Sequence, residues 1–282
     1  MNGSANGISL RPMQPIDVSR GQELSARLLW VHRREDWAQM FRLSKGVVLE
    51  AAGGSIIGTC FTTLQGSYAT VGLVLVDSEY QGRKLGRRLM RWAIDAAQRR
   101  SIVLNATEAG LALYEKLGFR TFSHVRQYQG EGIAEPAGFD SSLIRLATAP
   151  DFGRIIHLAD ISTAFSRQAV ITELCTIAKK VIVLEKNGDV VGFGLSRPFG
   201  RGYMIGPVVA HTVEHARKLV ASLVMDLRGS FVRIDCSEQS GLEDILQRVG
   251  LKQVGQVRTM VLGEEPPVVQ ARQFAIASQA LG

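Results

Sequence analysis

The sequence predicts an α+β protein with two copies of one unit, each a mixed, mostly antiparallel sheet flanked by helices. Apolar strand-like runs alternate with amphipathic helical segments along the chain. One pattern also occurs twice, because Gly58 matches Gly192 and Gly72 matches Gly206, and both pairs are 134 residues apart. Since 282 residues exceed one usual domain, each copy can bury its own core.

The elements of the first copy follow from hydrophobic period and turn signals. Apolar runs bounded by glycine predict strands, and apolar residues three or four apart predict helices. In chain order these are a strand at 8–12, helices at about 18–30 and 35–43, and strands at 47–51, 55–64 and about 68–76. Gly53-Gly54 between two strands is a hairpin signal, so we expect these neighbours to pair antiparallel.

The junction at residues 71–90 has the properties of a phosphate site. A buried strand at 72–76 leads into the turn-forming segment QGRKLG, and a basic amphipathic helix begins at Leu85. A helix N-terminus has about four unpaired amides and roughly half a positive charge, which favours a pyrophosphate. The alternative for the more distant arginines is a solvated helix face.

A second strand at 102–104 leads into a short helix that is closed by Gly118-Phe119. QGRKLG resembles the Q/R-x-x-G-x-G/A loop of the GNAT N-acetyltransferases, and ATEAGLALYEKLGF resembles their A-x-N-x-A-x-x-x-Y-x-x-x-G-F segment. The resemblance covers about residues 8–130. It implies a GNAT fold, acetyl-CoA (coenzyme A) as the cofactor, and transfer of an acetyl group to a primary amine by direct attack.

The resemblance also assigns roles to residues. Tyr114 is implied as the acid that protonates the departing thiolate, with a core ring as the alternative. Trp30, Asp36 and Trp37 are expected at the acceptor site, although Trp37 is equally well explained as the core face of its helix. The implied cofactor-binding residues are Val74, Leu75, Val76, Gln81, Gly82, Arg83, Lys84, Leu85, Gly86, Arg87 and Thr107.

Two cofactor positions depart from the family pattern. Lys84 stands where a loop glycine is usual, so it keeps the backbone donor but lacks glycine's tolerance of positive φ, at a cost of ~1 kcal/mol if such a φ is required. Thr107 stands where asparagine is usual, and its shorter side chain favours a contact through water.

No general base can be assigned from the sequence. Some relatives use a glutamate on the strand before Thr107, where this chain has Ile102-Val103-Leu104. The candidates, acting through water or directly, are Glu35, Asp36, Asp77, Glu108 and His32.

The second copy resembles the first in its strands but not in its chemistry. Residues 210–216 read AHTVEHA where the first copy has its loop, and Leu246 matches Tyr114. We predict a cofactor-binding domain at 1–130, a linker at 131–142, a degenerate GNAT-like domain at 143–262 and a tail at 263–282 that either docks or stays mobile. The degenerate copy is expected to shape a site for a small amine or an amino-acid-like acceptor.

Composition limits the other function classes. The net charge of +7 is concentrated in part beside the loop, and no aromatic-interleaved basic stripe is present, so we expect no nucleic-acid partner. No apolar run approaches a membrane span, no signal sequence is visible, and three widely spaced cysteines indicate free thiols, no metal site and a cytoplasmic location. Oligomeric state is not predicted. A non-catalytic acyl-CoA-binding regulatory module and an acetyltransferase acting on a protein amine are the alternatives.

Overall fold

The computed structural model describes residues 7–131, 141–267 and 271–282, so most of the predicted linker at 131–142 lies outside the described residues. The strands are β1 (Ser9–Pro12), β2 (Lys45–Glu50), β3 (Ile56–Gln65), β4 (Tyr68–Val76), β5 (Ser101–Ala106), β6 (Arg120–Glu131), β7 (Ile144–Leu146), β8 (Lys180–Lys186), β9 (Asp189–Phe199), β10 (Gly202–Ala210), β11 (Phe231–Ser237), β12 (Lys252–Leu262) and β13 (Arg272–Ala275). The helices are α1 (Asp17–Arg27), α2 (Arg34–Leu43), α3 (Leu85–Ala96), α4 (Glu108–Glu115), α5 (Phe152–Thr163), α6 (Gln168–Ile177), α7 (Val213–Asp226) and α8 (Glu243–Arg248).

The strands form one continuous sheet in the order β1-β2-β3-β4-β5-β12-β6-β11-β13-β10-β9-β8-β7. Within the described residues, β4 with β5 and β10 with β11 are the parallel pairs, and the other neighbours run antiparallel. This confirms the predicted α+β class and the mixed, mostly antiparallel sheet with two related halves.

The two halves exchange strands at the centre of the sheet. Strand β12 from the second half lies between β5 and β6, and residues 125–131 of β6 from the first half pair with the whole of β11. Because β6 and β12 follow matching strand-helix pairs in the two copies, each half gives its equivalent strand to the other. The segments 1–130 and 143–262 therefore contribute to one sheet.

The helices cover the sheet with apolar stripes. In α3 the buried positions are Leu85, Leu89, Met90 and Ala93, which pack on the strands of the first half. Helix α1 ends at Arg27, earlier than the predicted residue 30, and Leu29 has a left-handed φ of 63°. The residues after α1 therefore leave the helix and form a loop beside the sheet.

One apolar cluster joins the two halves. It combines residues of the first half, such as Trp37 and Leu73, with Leu174, Leu195 and Leu281. Polar contacts cross at the same place, where the Arg42 guanidinium meets the carboxylate of Glu173 at 2.5 Å.

The tail docks in the part that the structure describes. Strand β13 lies between β10 and β11, and the Ile276 amide donates to the Asp235 carbonyl at 2.9 Å. Buried Arg167 donates to the carbonyl oxygens of Leu281 and Gly282, both at 2.7 Å. Of the two alternatives left open by the sequence, the structure therefore favours docking.

Two further findings bear on the sequence expectations. The three cysteines are free thiols; Cys60 and Cys236 are buried, whereas Cys175 is partly exposed. Across residues 7–131, 141–267 and 271–282, none of the helices is both long and apolar enough to cross a membrane.

Candidate active site

The parallel strands β4 and β5 separate halfway along their length. They pair from Tyr68 with Ser101 to Val71 with Leu104 and no further. Beyond this point β4 bulges, because Leu73 has a φ of 49° and its carbonyl accepts a hydrogen bond from the Thr59 hydroxyl at 2.9 Å. The β5-facing backbone of residues 74–76 is therefore an open strand edge.

The corresponding cleft of the second half is closed by the chain itself. Strands β10 and β11 pair through Ile205 and Ile234, and β13 then inserts between them. Val208 and Val209 of β10, which correspond to Val74 and Leu75, pair with Ala275 and Gln273. The second half thus has backbone where the first half has an open cleft.

The loop before α3 presents unpaired backbone donors. Gly82 and Lys84 have φ angles of 76° and 61°, and α3 starts at Leu85 without a side-chain cap. Within the described residues, the amides of 82–87 make no hydrogen bonds. By contrast, the Thr212 hydroxyl accepts from the His215 amide and caps α7. The sequence predicts a cost of ~1 kcal/mol for Lys84 if its backbone needs a positive φ. The structure has this positive φ, so the cost applies.

Tyr114 lies on α4, with its ring buried against Phe119 at a centroid distance of 5.9 Å. Gly110 makes room for this ring, because a Cβ there would lie 2.6 Å from the tyrosine. Burial, and to a lesser extent the Cys60 thiol, raises the pKa of Tyr114 well above its ordinary value. Its hydroxyl has no hydrogen bond to any described residue, so it is a free, protonated donor at neutral pH.

One cavity of about 1210 Å³ connects these parts. Single ligand pockets usually have ≈ 300–1,000 Å³, so this cavity has room for more than one reactant. Tyr114 lines it, as do ten of the eleven predicted cofactor-binding residues. The exception is Arg83, whose guanidinium lies over the Tyr80 ring at 5.0 Å.

The predicted acceptor residues have different positions. Trp30 lines the cavity, but Trp37 does not; it is fully buried, and its ring meets Phe61 edge to face at 5.5 Å. Asp36 also lines the cavity, yet its carboxylate accepts from the Arg33 guanidinium at 2.8 Å and from the Gly200 amide at 3.0 Å. Trp37 is therefore a core residue, and Asp36 fastens α2 to the turn between β9 and β10.

Most of the candidate general bases lie outside the cavity. Glu35, Asp77 and Glu108 do not line the cavity, and Asp77 is paired with Arg27 at 2.8 Å. His32 does line it, half-buried between Trp30 and Phe199, with its Nδ1 atom sealed from solvent and unpaired. Burial lowers the pKa of His32 to about 4, with Asp36 opposing this and Arg233 and Arg197 adding to it.

Sequence reasoning missed a group of cavity residues that come from β6 and the second half. These are Gln127, Gln129, Arg197, Arg201 and Arg233. Gln127 and Gln129 lie on β6 and Arg233 on β11, which follow β5 and β12 in the strand order because of the exchange. Arg197 lies on β9 and Arg201 in the turn after β9. No local motif marks them, and Gln127 and Gln129 are distinguished only by their alternate positions on one strand.

Comparison with known proteins identifies the class. Two family models described as acetyltransferase (GNAT) domains match residues 42–121 and 155–275. An uncharacterised N-acetyltransferase of Bacillus subtilis strain 168, YitH, is 30% identical over 232 residues, which is 81% of this chain and 82% of that protein. The chain is thus of the acyltransferase class.

Solved structures agree in fold. A crystal structure described as an acetyltransferase from Pyrococcus horikoshii has a TM-score of 0.84 at 20% identity, and the match covers 100% of this chain and 98% of that one. A tandem GNAT protein from the clavulanic acid biosynthesis pathway has a TM-score of 0.66 at 14% identity, covering 92% and 99%. The chain belongs to the GNAT N-acetyltransferase family, in its tandem form.

Proposed function

We propose that this protein transfers an acetyl group from acetyl-CoA to the primary amine of a small molecule. The observation that carries the proposal is the single cavity that contains the open edge of β4, the uncapped start of α3 and the free hydroxyl of Tyr114. Each of these features serves a different part of a thioester substrate.

The residues present fit coenzyme A. The unpaired amides of 82–87, with Lys84 and Arg87 beside them, suit a pyrophosphate. The open backbone of 74–76 suits the amide groups of a pantetheine arm, which would pair with it like an added strand. In the second half, β13 already occupies that place, so we expect one coenzyme site in each chain.

Acetyl-CoA supplies the thioester that is attacked. In the reaction a bond forms between the amine nitrogen and the acetyl carbon, and the bond from that carbon to sulfur breaks. Tyr114 donates its proton to the departing sulfur, because it lines the cavity and its hydroxyl makes no hydrogen bond to any described residue. The β4 edge amides orient the thioester.

The amine must lose its proton before it attacks, and His32 is too weak a base to take it efficiently. With a pKa of about 4, His32 is neutral at pH 7 but lies far below an alkylammonium near ~10. We therefore assign the proton to solvent, and the rate should follow the neutral fraction of the acceptor until the acceptor's own pKa is reached.

A small acceptor is favoured over a protein lysine by the walls of the cavity. Trp30 and its loop line one side of the cavity. Residues of the second half and the tail residues 278–281 line another side of it. A small molecule is the better match for a site bounded on these sides.

The test is thiol release from acetyl-CoA with a panel of small primary amines, together with calorimetry of coenzyme A. We expect one coenzyme site per chain and amine-dependent thiol release. Coenzyme binding without thiol release by any amine would favour the regulatory module, and two equal sites would contradict the role given to β13.

A further inference from the structure

We propose that the acceptor carries a carboxylate as well as its amine, and that arginines from the second half bind this carboxylate. The inference rests on the proposed function, because it concerns the second substrate of the same cavity. It goes further by naming a chemical class and the residues that select it.

The charge of the cavity wall is unbalanced. Among the described residues that line it, Asp36 is the carboxylate, and its oxygens are already taken by Arg33 and the Gly200 amide. Away from the phosphate loop, the second half contributes Arg197, Arg201 and Arg233 to the wall. An acceptor that consists of a bare cationic amine would meet like charges there.

The environment of Arg197 gives the strongest support for a bound carboxylate. It is fully buried and lies over the Phe199 ring at 4.7 Å, and its Nη2 atom donates to the Ala277 carbonyl at 2.8 Å. Its Nε and Nη1 atoms are buried without a hydrogen-bond partner. Burial lowers the pKa of Arg197 to about 10, so the side chain keeps its charge at neutral pH. The carboxylates of Asp36 and Asp235 act on Arg197 without a salt bridge, and the nearby Arg33 and Arg233 oppose them. A buried cation without a directly paired anion is costly.

The other two arginines offer donors nearer to solvent. Arg233 uses Nε and Nη2 to hold buried Asp235 at 2.9 and 2.6 Å, which leaves Nη1 without a hydrogen bond to the described chain. Arg201 is exposed, and its guanidinium lies over the Phe231 ring at 4.5 Å. Arginine is the residue that best binds a planar carboxylate, since its donors form a fork.

The sheet order sets the distance between the two ends of the acceptor. The reacting end lies where β4 and β5 separate, and Arg233 is on β11, three strands beyond β5. At ~4.8 Å for each strand this spans about 14 Å. Gln127 and Gln129 on β6 line the cavity between these ends. The acceptor should therefore have its amine and its carboxylate at opposite ends, as in an ω-amino acid.

The test compares acceptors that differ in the group at the end opposite the amine, with rates expressed per neutral amine. We would measure kcat/KM for ω-amino acids with two to eight carbons, for their primary amides and for aminoalkyl phosphonates. The carboxylates should exceed their amides at least tenfold, with the longer chains preferred. Equal values, or a preference for the phosphonates, would overturn the inference while thiol release would still support acetyl transfer. No release with any amine would count against both proposals.

Variants separate a binding role from a structural one. Arg201→Gln is the main variant because Arg201 is exposed and, apart from its stacking on Phe231, makes no side-chain hydrogen bond or ion pair with the described residues. Arg233→Gln would leave Asp235 buried and unpaired. We expect Arg201→Gln to lower kcat/KM at least tenfold for carboxylates, with little change for amides or in the KM of acetyl-CoA. The exposed Arg228→Gln, remote from the cavity, is the matched control. An equal effect of both variants would contradict the proposal.

Arg197→Met supplies an independent readout. If the charge of Arg197 serves to bind the acceptor carboxylate, Arg197→Met should retain or raise the melting temperature of the protein. The same variant should abolish the preference for carboxylates. A large loss of melting temperature with an unchanged preference would show that Arg197 is merely structural.

Discussion

The half-buried His32 should make the protein sensitive to mild acid, and the size of the effect can be worked out. An unfolded histidine titrates near 6.5, whereas burial places the pKa of His32 at about 4. Between pH 6.5 and about 4, His32 binds a proton in the unfolded chain but not in the folded chain. The free energy of unfolding therefore decreases as the pH falls from 6.5 towards 4. Above pH 6.5 the full contribution of the neutral His32 is present.

The two pKa values differ by about 2.5, which corresponds to ~3 kcal/mol for the whole transition. At pH 5.0 about 2 kcal/mol of this is already lost. The groups that act on the ring are Asp36, which favours the charged form, and Arg233 and Arg197, which oppose it.

The perturbation is His32→Phe, which keeps a ring between Trp30 and Phe199 but cannot titrate. The assay is urea unfolding of the wild type and the variant at pH 7.5 and 5.0. The variant should lose about 2 kcal/mol less than the wild type between these two pH values. His211→Phe, at an exposed position, is the control. Parallel losses in wild type and His32→Phe would refute the lowered pKa of His32.

The remaining predictions concern the first-half site and the tail. Tyr114→Phe should lower kcat by roughly ten- to a thousandfold with little change in coenzyme affinity, because it removes one proton donor; an unchanged kcat would exclude that role. Gly86→Val should raise the coenzyme dissociation constant at least tenfold by calorimetry, since even a Cβ there lies 3.1 Å from the Leu113 side chain, beside the loop amides. Gly153→Val, in a helix with open space around it, is the control, and equal affinities would contradict the assigned loop. Removing residues 264–282 should sharply reduce soluble yield and melting temperature, because it deletes β13 from the interior of the sheet; a soluble chain with an unchanged melting temperature would contradict the proposed support.

The features predicted well from the sequence are local ones. The loop, α3 and the helix that carries Tyr114 lie within one run of about forty residues, so turn residues, hydrophobic period and the family pattern all apply to their positions. Lys84 shows the limit of this reasoning, since the sequence could state the cost of a positive φ but not whether the φ occurs.

The features that could not be predicted depend on long-range pairing. The sequence of β12 indicates a strand, but its alternation does not say that its neighbours are β5 and β6. Arg233 reaches the cavity through that exchange, more than a hundred residues after Tyr114. Trp37 was ambiguous because a large ring suits both a core and a binding site, and its burial against Phe61 decides the matter.

The strand exchange has a consequence for synthesis. When residues 1–131 have left the ribosome, β6 lacks both of its neighbours in the folded chain and β5 has only β4, because β11 and β12 lie beyond residue 230. The nascent chain must hold these edges open for about another hundred residues, during which unpaired strands invite association. Pairings of such high sequence separation also slow folding. Production of this protein should therefore depend strongly on temperature and on chaperones that shield unpaired strands.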